Sequence, residues 1–381
     1  MFGIYIHWPY CLAKCPYCDF NSHVAASIDH TQWLEAYKKE LSYIADKTKE
    51  RTVTSIFFGG GTPSLMAPQT VEGVIQHIHN LWPVEENIEI TLEANPTSVE
   101  RERFKDFKAA GINRVSLGIQ SLREDDLKFL GRQHNVTDAL EALEVAQNTF
   151  TRTSFDLIYA RPDQTPEAWE KELEEALSYA KAGHLSLYQL TIEPGTAFET
   201  QYKRREFSIP DDDKSGELYE LTDHITRAHG LPRYEISNYA REGEESRHNL
   251  NYWRYEDYAG IGPGAHGRLT LNETKYATRA HRAPGIWMQR VQDEGHGYHP
   301  FEPLSRDDRR LEAILMGLRL REGMTFEKIE DESGQGWEDA FDLKMLNQFA
   351  KDGYIYMNDT RIGINPSGFQ LLESILHHIV K

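Results

Sequence analysis

The three cysteines of this 381-residue chain, Cys11, Cys15 and Cys18, lie within eight positions of one another. Thiolates are soft ligands, so this clustering predicts a metal site rather than three separate core thiols. Tetrahedral zinc would need a fourth protein ligand, for which His7 and Asp19 are candidates. A cubane iron–sulfur cluster normally takes four thiolates, so a cluster held here would have one iron without a cysteine. Both kinds of centre remain open at this point.

A run of three glycines, Gly59 to Gly61, follows a short apolar stretch at 55–58 and precedes Thr62 and Pro63. The run is not the phosphate-binding loop G-x-x-x-x-G-K-[ST], because no lysine follows it. Exposed backbone in such a run allows close approach to another group. The alternative is an ordinary turn.

Two acids lie at or inside predicted strands. Glu93 follows a strand predicted over 88–92, and a carboxylate can accept both hydroxyl hydrogens of a ribose. It could equally be a surface acid at the start of a loop. Asp156 lies within an apolar strand predicted over 154–158, where an acid is costly unless it has a partner. This favours Asp156 as a site residue.

The spacing C-x3-C-x2-C, with Tyr17 just before the last cysteine, resembles the radical S-adenosylmethionine (SAM) superfamily. In that superfamily, three cysteines hold a [4Fe-4S] cluster, and the amino and carboxylate groups of SAM chelate the remaining iron. The glycine run resembles the superfamily's glycine-rich motif, which approaches the methionine end of SAM. The resemblance therefore implies that Cys11, Cys15 and Cys18 are the cluster ligands.

The resemblance is closest to the HemN/HemW branch of this superfamily, on its heme-chaperone side, and runs from Gly3 to the C-terminus. The segments that carry it are 5–11, 15–23, 59–64, 93–96, 117–121, 130–132, 188–196 and the diagnostic His-Asn-Leu-Asn-Tyr-Trp at 248–253. The family pattern implies ten SAM contacts: Tyr5, Tyr17, Gly60, Gly61, Thr62, Glu93, Gln120, Arg132, Asp156 and Leu190.

His248 is the candidate heme ligand implied by this resemblance. Its imidazole could bind heme iron, and the two aromatic residues of the motif would flank the macrocycle. The alternative is a buried histidine held by hydrogen bonds to Asn249 or to backbone. Other histidines, such as His266, remain candidates, and no C-x-x-C-H attachment motif is present because Asp19 follows Cys18.

Two activities exist within the branch. The oxygen-independent coproporphyrinogen III oxidases extend the cysteine motif to C-x3-C-x2-C-x-C and carry an N-terminal extension, whereas here the fourth position is Phe20 and the chain starts almost on its first strand. Both differences favour a heme chaperone that binds a [4Fe-4S] cluster, SAM and heme and transfers heme. The resemblance implies heme-acceptor apoproteins, with respiratory membrane-associated proteins among the candidates, and an electron donor. Whether the chain is an enzyme stays open, with the oxidase as the alternative.

One segment departs from the family pattern. Tyr159-Ala160-Arg161-Pro162 stands where the family more often has a Gly-Leu-Pro turn.

The elements that must position these residues alternate between strand and helix at roughly 30-residue spacing, which predicts parallel strands with helical crossovers. Six strands would form a partial (β/α)6 barrel of the α/β class, with functional residues at the strand carboxyl ends. One of the crossover helices is predicted over 166–182. Near the C-terminus, helices around a hairpin at Asn358 and Asp359 resemble a winged-helix module. We therefore predict three domains: the barrel at 1–195, an extension carrying the His248 motif at 196–300, and an α+β domain at 301–381.

Composition limits the remaining possibilities. The net charge is −18, which argues against a nucleic-acid surface, and residues 301–381 carry 10 Lys and Arg against 15 Asp and Glu. This acidic balance predicts that the winged-helix-like domain packs or docks with a partner rather than binding DNA. No run approaches the ~20 apolar residues of a membrane span. Clustered thiols and the lack of a basic leader predict a cytoplasmic protein.

Overall fold

The computed structural model describes residues 1–179, 181 and 183–381. Its first half alternates strands and helices, as predicted. The strands are β1 (Phe2–Trp8), β2 (Tyr10–Cys11), β3 (His23–Val24), β4 (Val53–Gly60), β5 (Val84–Ala94), β6 (Arg114–Gln120), β7 (Arg152–Tyr159) and β8 (His184–Gln189). The helices are α1 (His30–Thr48), α2 (Pro68–Leu81), α3 (Ser98–Glu102), α4 (Phe104–Ala109), α5 (Glu124–Phe129), α6 (Val136–Thr149) and α7 (Pro166–Tyr179), with a 3-10 turn at Pro63–Leu65.

Six of these strands form a parallel sheet in the order β1-β4-β5-β6-β7-β8. This confirms the predicted parallel α/β arrangement. Helix α7 is described to Tyr179, and its predicted end at Ala182 lies outside the described residues. The two short strands β2 and β3 pair with each other and bracket the cysteine loop.

Local sequence signals account for the helix positions. The Asp29 carboxylate accepts hydrogen bonds from the backbone amides at the start of α1, and Asn135 and Asp138 form a capping box at the start of α6. The buried face of α1 has helical spacing, which places it against the sheet; it carries Trp33, Tyr37, Leu41 and Ile44.

Residues 197–303 extend the same sheet at both edges. Their elements are α8 (Ala197–Lys203), α9 (Asp212–Ala228), β9 (Asn238–Ala240), α10 (Arg247–Trp253), β10 (Asp257–Ile261), β11 (His266–Leu271), β12 (Thr274–Arg279), α11 (Pro284–Glu294) and β13 (Glu302–Pro303). Strand β9 pairs antiparallel with β8, and β10 pairs in parallel with β1. The antiparallel strands β11 to β13 follow, giving an 11-stranded sheet. One hydrophobic core extends from Phe2 to Tyr298, and the predicted boundary at 195/196 stays a prediction.

The C-terminal part has a core of its own. Its elements are α12 (Arg306–Gly317), β14 (Met324–Thr325), α13 (Phe326–Ser333), α14 (Leu343–Lys351), β15 (Ile355–Met357), β16 (Arg361–Ile364) and α15 (Leu372–Ile379), with 3-10 turns at Trp337–Ala340 and Pro366–Leu371. The strands form an antiparallel sheet in the order β14-β16-β15. Helix, strand, two helices and a hairpin follow one another as in a winged helix. Among the helices that the structure describes, none is both long and apolar enough to cross a membrane.

Side chains alternate along the parallel strands and give the sheet one polar face, which we call the inner face. Along β5 it carries Glu89, Thr91 and Glu93, in order from the amino toward the carboxyl end. Helix α10 packs against the amino-terminal part of this face. Gly3 permits this approach, because a side-chain carbon there would lie 3.2 Å from Nδ1 of His248.

Five polar side chains at this amino-terminal end of the inner face form what we call the barrel floor: Glu89, Arg114, Arg152, His184 and His248. These five residues belong to four elements of the sheet, β5 to β8, and to α10. All but Arg152 are buried.

Candidate cofactor site

A cavity of about 700 Å³ lies at the carboxyl ends of the parallel strands. The ends of β4, β5, β6 and β7 contribute to its wall, where parallel α/β folds place their sites. Nine of the eleven predicted cofactor contacts line it together with Cys11, Cys15 and Cys18; the nine are Tyr17, Gly60, Gly61, Thr62, Glu93, Gln120, Arg132, Asp156 and Leu190. The structure thus brings together residues that are spread over 180 positions of sequence.

The cysteine loop is fixed to the barrel at several points. The amide of Cys18 donates to the carbonyl of Cys15 at 3.2 Å, and the carbonyl of Pro16 accepts from Phe198 at 2.9 Å. Gly131 lies directly against Pro16, since a side-chain carbon there would meet the proline ring at 2.6 Å. Burial raises the pKa of the thiols of Cys11 and Cys18 above the ordinary value. A positive charge, such as that of bound iron, would oppose this shift.

The positions of the possible metal ligands distinguish a zinc site from an iron–sulfur cluster. A single zinc ion binds thiolates at about 2.3 Å, so its ligands must converge on one point. Within the described residues, no group of three or more His, Cys, Asp or Glu side chains converges in this way. His7, a candidate fourth zinc ligand, has its two ring nitrogens in hydrogen bonds to Tyr5 and Asn21, each at 3.0 Å. A cubane offers each thiolate a separate iron, so three cysteines spaced around a cavity fit a cluster better.

Arg132 connects the cysteine loop to the strand ends. Its Nη1 lies 3.4 Å from both the sulfur of Cys15 and the hydroxyl of Tyr17, and its Nη2 donates to the carbonyl of Gly118 at 2.8 Å. Nη2 also donates to Oδ1 of Asn95, whose amide donates to Thr62 at 3.2 Å. Asn95 was missed as a site residue, although it lies within the segment 93–96 that carries the family resemblance.

Two partly buried carboxyl groups, Glu93 and Asp156, line the cavity wall and lie close enough for their charges to interact. Burial raises the pKa of Glu93 to about 8, and the nearby charge of Asp156 adds to this rise. Burial also raises the pKa of Asp156 to about 6, against hydrogen bonds from Ser186 and Ser116; the Ser116 hydroxyl donates to it at 3.1 Å. The pair is therefore under-compensated in the protein alone and suits a ligand with hydroxyl groups or positive charge.

Gln120 presents an unsatisfied group to the same cavity. Its backbone has φ 75°, in the left-handed region. Its side-chain oxygen is buried and finds no hydrogen-bond partner among the described residues. A buried acceptor without a partner is costly, so the residue fits a ligand that donates a hydrogen bond there. The fit of the cavity to SAM rests on this oxygen and on the two carboxyl groups.

The glycine run at 59–61 has no room for side chains at Gly60 and Gly61. Gly60 has φ 112°, and a side-chain carbon there would meet the ring of His7 at 2.6 Å. At Gly61 the same carbon would meet the backbone of Tyr10 at 2.7 Å. The amide of Thr62 donates to the carbonyl of Tyr10 at 2.8 Å. The run therefore packs against the strand that carries Cys11, which is why it lies beside the cysteines.

Residues 159–162, which differ from the Gly-Leu-Pro turn more common in the family, still leave the cavity wall intact. Ala160 adopts φ 56°, a conformation that glycine takes more easily. Arg161 is buried and pairs with Glu172 and, at 3.0 Å, with Asp126. The carbonyl of Tyr159 still accepts from the amide of Leu190 at 2.8 Å, so this replacement keeps the turn beside the cavity in place.

Two predicted contacts, Tyr5 and His248, are not among the residues that line the cavity. The Tyr5 ring lies on the inner face beneath the cavity, where its hydroxyl pairs with His7 and its pKa is raised by burial and by Glu93. His248 belongs to the barrel floor. Its Nδ1 lies 3.0 Å from Ser55 Oγ, and its ring stacks on Phe57 at 5.1 Å. This placement fits the alternative of a buried structural histidine, with Ser55 as its partner rather than Asn249.

Comparison with known proteins gives matches over most of the chain. The model of the radical SAM superfamily matches residues 5–176, and that of the HemN C-terminal domain matches residues 304–371. The heme chaperone HemW of Haemophilus influenzae is 38% identical over 341 residues, which cover 87% of this chain and 86% of that protein. HemW of Escherichia coli is 39% identical over 319 residues, covering 82% and 83% of the two chains.

A mitochondrial relative and a solved structure extend the match. The radical S-adenosyl methionine domain-containing protein 1 of Danio rerio is 37% identical over 385 residues, covering 99% of this chain and 86% of that protein. The coproporphyrinogen III oxidase HemN of Escherichia coli superposes with a TM-score of 0.82, covering 99% of this chain and 89% of that chain. At 22% sequence identity, this likeness shows a shared fold.

Proposed function

This chain belongs to the HemW family of the radical SAM superfamily, and from that premise we propose that it is a heme chaperone. It binds a [4Fe-4S] cluster, SAM and heme, and it passes heme to an acceptor protein. The observation that supports this proposal most directly is the cavity in which the three cysteines meet the predicted SAM contacts.

We assign the residues of this cavity as follows. Cys11, Cys15 and Cys18 hold the cluster, and the glycine run with Thr62 receives the methionine end of SAM. Glu93 accepts the ribose hydroxyls, and the free oxygen of Gln120 accepts a further hydrogen bond. When bound to a reduced cluster, SAM is a source of a 5′-deoxyadenosyl radical. Arg132 stays charged beside Cys15 and stabilises the negative charge of the thiolate.

The partners and the compartment are part of the same proposal. Heme-acceptor apoproteins, with membrane-associated respiratory proteins as candidates, would receive the heme, and an electron donor would reduce the cluster. A cytoplasmic location supplies the reducing conditions that three unpaired thiols require. The net charge of −18 suits protein partners with basic patches and disfavours nucleic acid.

The rival function is oxidative decarboxylation of coproporphyrinogen III, because HemN shares the fold. Phe20 argues against it, since this side chain occupies the position of the oxidase's further cysteine. Phe20 lines the cavity and is 59% exposed. A phenyl ring at the cavity mouth is apolar and cannot bind a metal or take part in thiol chemistry, whereas a cysteine there could.

The test is anaerobic reconstitution followed by three measurements on one preparation. We expect about four iron and four sulfide per chain, a change in the EPR spectrum of the reduced cluster on addition of SAM, and a Soret band on titration with heme. In a parallel assay with reductant and SAM, coproporphyrinogen should not be consumed. Stoichiometric zinc without sulfide would refute the cluster, and steady formation of protoporphyrinogen would replace the chaperone by the oxidase.

A further inference from the structure

The surface near the cysteine loop carries a group of basic side chains. Lys203, Arg204 and Arg205 are the only three consecutive basic residues in a chain whose net charge is −18. They lie at the end of α8 and just beyond it, and all three are exposed, as is the preceding Tyr202. We call residues 202–205 the basic run. None of them lines the cofactor cavity, so the cavity does not account for their charge.

Helix α8 is anchored to the loop that carries the cysteines. The amide of Phe198, in the first turn of the helix, donates to the carbonyl of Pro16 within that loop at 2.9 Å. The Phe198 ring is buried in a small apolar core together with Leu190, which lines the cofactor cavity. The helix has seven residues and is about 10 Å long, so its last residue, Lys203, lies within about that distance of the anchor along the helix axis.

Aromatic side chains connect the same loop to the basic run. The ring of Tyr17, which lines the cofactor cavity, lies 6.3 Å from the ring of Phe198 between centroids. Phe198 lies 5.1 Å from Phe207, and Phe207 lies 6.0 Å from Tyr202. Phe198 is buried, whereas Tyr202 is 41% exposed. Three ring contacts therefore lead from the cysteine loop to the protein surface at the basic run.

Two acids neutralise only part of the charge of the basic run. Nζ of Lys203 lies 2.6 Å from Glu199, and Nη1 of Arg204 lies 3.8 Å from Glu206. The side chains of Lys203 and Arg204 are each 70% exposed, and ion pairs between exposed side chains are weak. Three cations against two acids leave this surface positive, and its side chains are free to contact a partner.

Proteins that exchange electrons commonly meet through such surfaces. Their complexes are transient, with interfaces below about 1,200 Å², and complementary charge sets the rate and orientation of the encounter. Most of a protein with a net charge of −18 repels an acidic partner, whereas the basic run attracts one. An acidic partner would thus be directed to a surface that is packed onto the cysteine loop.

We propose that the basic run is the docking surface for an acidic electron-carrier protein that holds a flavin or an iron–sulfur centre. The carrier loses one electron and the cluster gains it, and no bond forms between the two proteins. The ring contacts from Tyr202 to the cysteine loop favour a redox partner over one without a redox centre. The proposal rests on the proposed function, since it requires a cluster on Cys11, Cys15 and Cys18.

The test compares protein reductants with a small one on the reconstituted full chain. Two acidic carriers, a bacterial flavodoxin in its hydroquinone form and a reduced bacterial ferredoxin, are each mixed with the protein in a stopped-flow instrument. The small reductant is photoreduced 5-deazariboflavin, which is uncharged. The loss of visible absorbance of the oxidised cluster gives the rate of reduction.

We expect Lys203→Glu/Arg204→Glu to lower the second-order rate constant with at least one carrier by about tenfold or more at low ionic strength. Reduction by deazariboflavin should stay within about twofold of wild type, because this reductant is not steered by charge. Added salt should lower the wild-type rate with the carrier toward that of the variant.

Matched variants isolate the position of the charge. Lys47→Glu/Lys49→Glu makes the same change in net charge at exposed positions at the end of α1 and should keep the carrier rate within about twofold of wild type. Lys203→Arg/Arg204→Lys retains the charge and should behave as wild type. Calorimetric titration of the apoprotein with the oxidised carrier measures docking without the cluster, and only Lys203→Glu/Arg204→Glu should weaken it.

The outcomes separate failure of the docking surface from failure of the proposed function. If deazariboflavin reduces the wild-type cluster but neither carrier does, or if Lys203→Glu/Arg204→Glu and wild type accept electrons from the carriers at the same rate, the docking surface is wrong while the function stands. If sedimentation shows a wild-type dimer that this variant loses, the basic run binds a second copy of the chain, which also overturns the proposal. If wild type assembles no cluster, the proposed function fails and the docking surface fails with it.

Discussion

The inner face of the sheet carries acidic side chains at both ends, the barrel floor and the cofactor cavity. They are paired at the floor and unpaired at the cavity. At the barrel floor, Glu89 accepts from Arg152 at 2.6 Å and from the amide of His248 at 3.2 Å. His184 is bound on both ring nitrogens, to Ser154 at 2.7 Å and to Tyr234 at 2.9 Å. At the cofactor cavity, the acids Glu93 and Asp156 lie near each other instead of each pairing with a cation.

In this fold, a structural polar cluster and a binding site differ in whether their polar groups have partners. The floor contains acid, arginine and histidine, which are common in catalytic sites, yet its groups largely satisfy one another. The cavity keeps raised carboxyl pKa values and a free oxygen at Gln120. Buried polar groups that lack partners indicate a ligand, and this criterion separates Gln120 at the cavity from Glu89 and His184 at the floor.

The largest expected effect is at the cysteines. Changing any one of Cys11, Cys15 or Cys18 to Ala should abolish the intact cluster, because a cubane with one thiolate fewer is poorly held. The free energy of unfolding of the apoprotein should change by less than about 1 kcal/mol, since each thiol is only half-buried. Iron and sulfide analysis and denaturant titration provide the two measurements. A variant that keeps a full cluster would place the metal site elsewhere.

A matched pair of isosteric variants tests the comparison directly. Glu89→Gln should destabilise the apoprotein by about 3–5 kcal/mol, because it leaves Arg114 and Arg152 without a buried counter-charge. Glu93→Gln should leave stability unchanged or raise it, because burial already favours the neutral form of Glu93. Urea unfolding of both proteins at pH 7 measures the difference. Equal losses in the two variants would remove the distinction between floor and cavity.

His248→Ala should act on the fold. Loss of a buried ring stacked on Phe57 and bonded to Ser55 should lower the free energy of unfolding by about 2–4 kcal/mol. The exposed His266, changed to Ala, should alter it by less than about 0.5 kcal/mol. At temperatures where His248→Ala remains folded, heme titration separates the two predicted roles, because a purely structural His248 would leave the Soret band unchanged. A shifted Soret band in His248→Ala would support His248 as the heme ligand and would require α10 to move away from the sheet.

The smallest expected effect is the pH dependence of SAM binding. Glu93 has a pKa of about 8 in the folded apoprotein, so raising the pH from 6.5 to 8.5 increases its charged fraction. Because SAM is a sulfonium cation, its affinity should rise by about three- to tenfold over this range. Glu93→Gln should bind more weakly and lose this dependence. An identical pH profile in wild type and variant would show that Glu93 does not face the ligand.

The raised pKa of Glu93 also affects the stability of the apoprotein. Raising the pH should increase SAM affinity but lower the free energy of unfolding. The pKa of Glu93 is raised above its unfolded value of 4.5 to about 8. Its contribution to stability is therefore fully present below pH 4.5 and is lost as the pH rises through 8. Wild-type apoprotein should lose stability relative to Glu93→Gln between pH 6 and 9. If the free energy of unfolding changed with pH by the same amount in both proteins, the raised pKa of Glu93 would be contradicted.

The amino-acid sequence alone predicted the alternating elements of the barrel and most of the residues that line the cofactor cavity. The cysteine spacing, the glycine run and the residues that follow each strand are local features, and parallel strands bring their carboxyl ends to one edge of the sheet. Nine of the eleven contacts that the family resemblance implied line one cavity. The winged-helix-like order of the C-terminal part also follows from local signals.

The place of His248 in the fold could not be predicted from local sequence. The amide of His248 pairs with Glu89, 159 positions earlier in the chain. Strand β10, a seventh parallel strand beside β1, was likewise absent from the predicted six. Which polar groups satisfy one another depends on such long-range packing, which no local pattern of residues encodes.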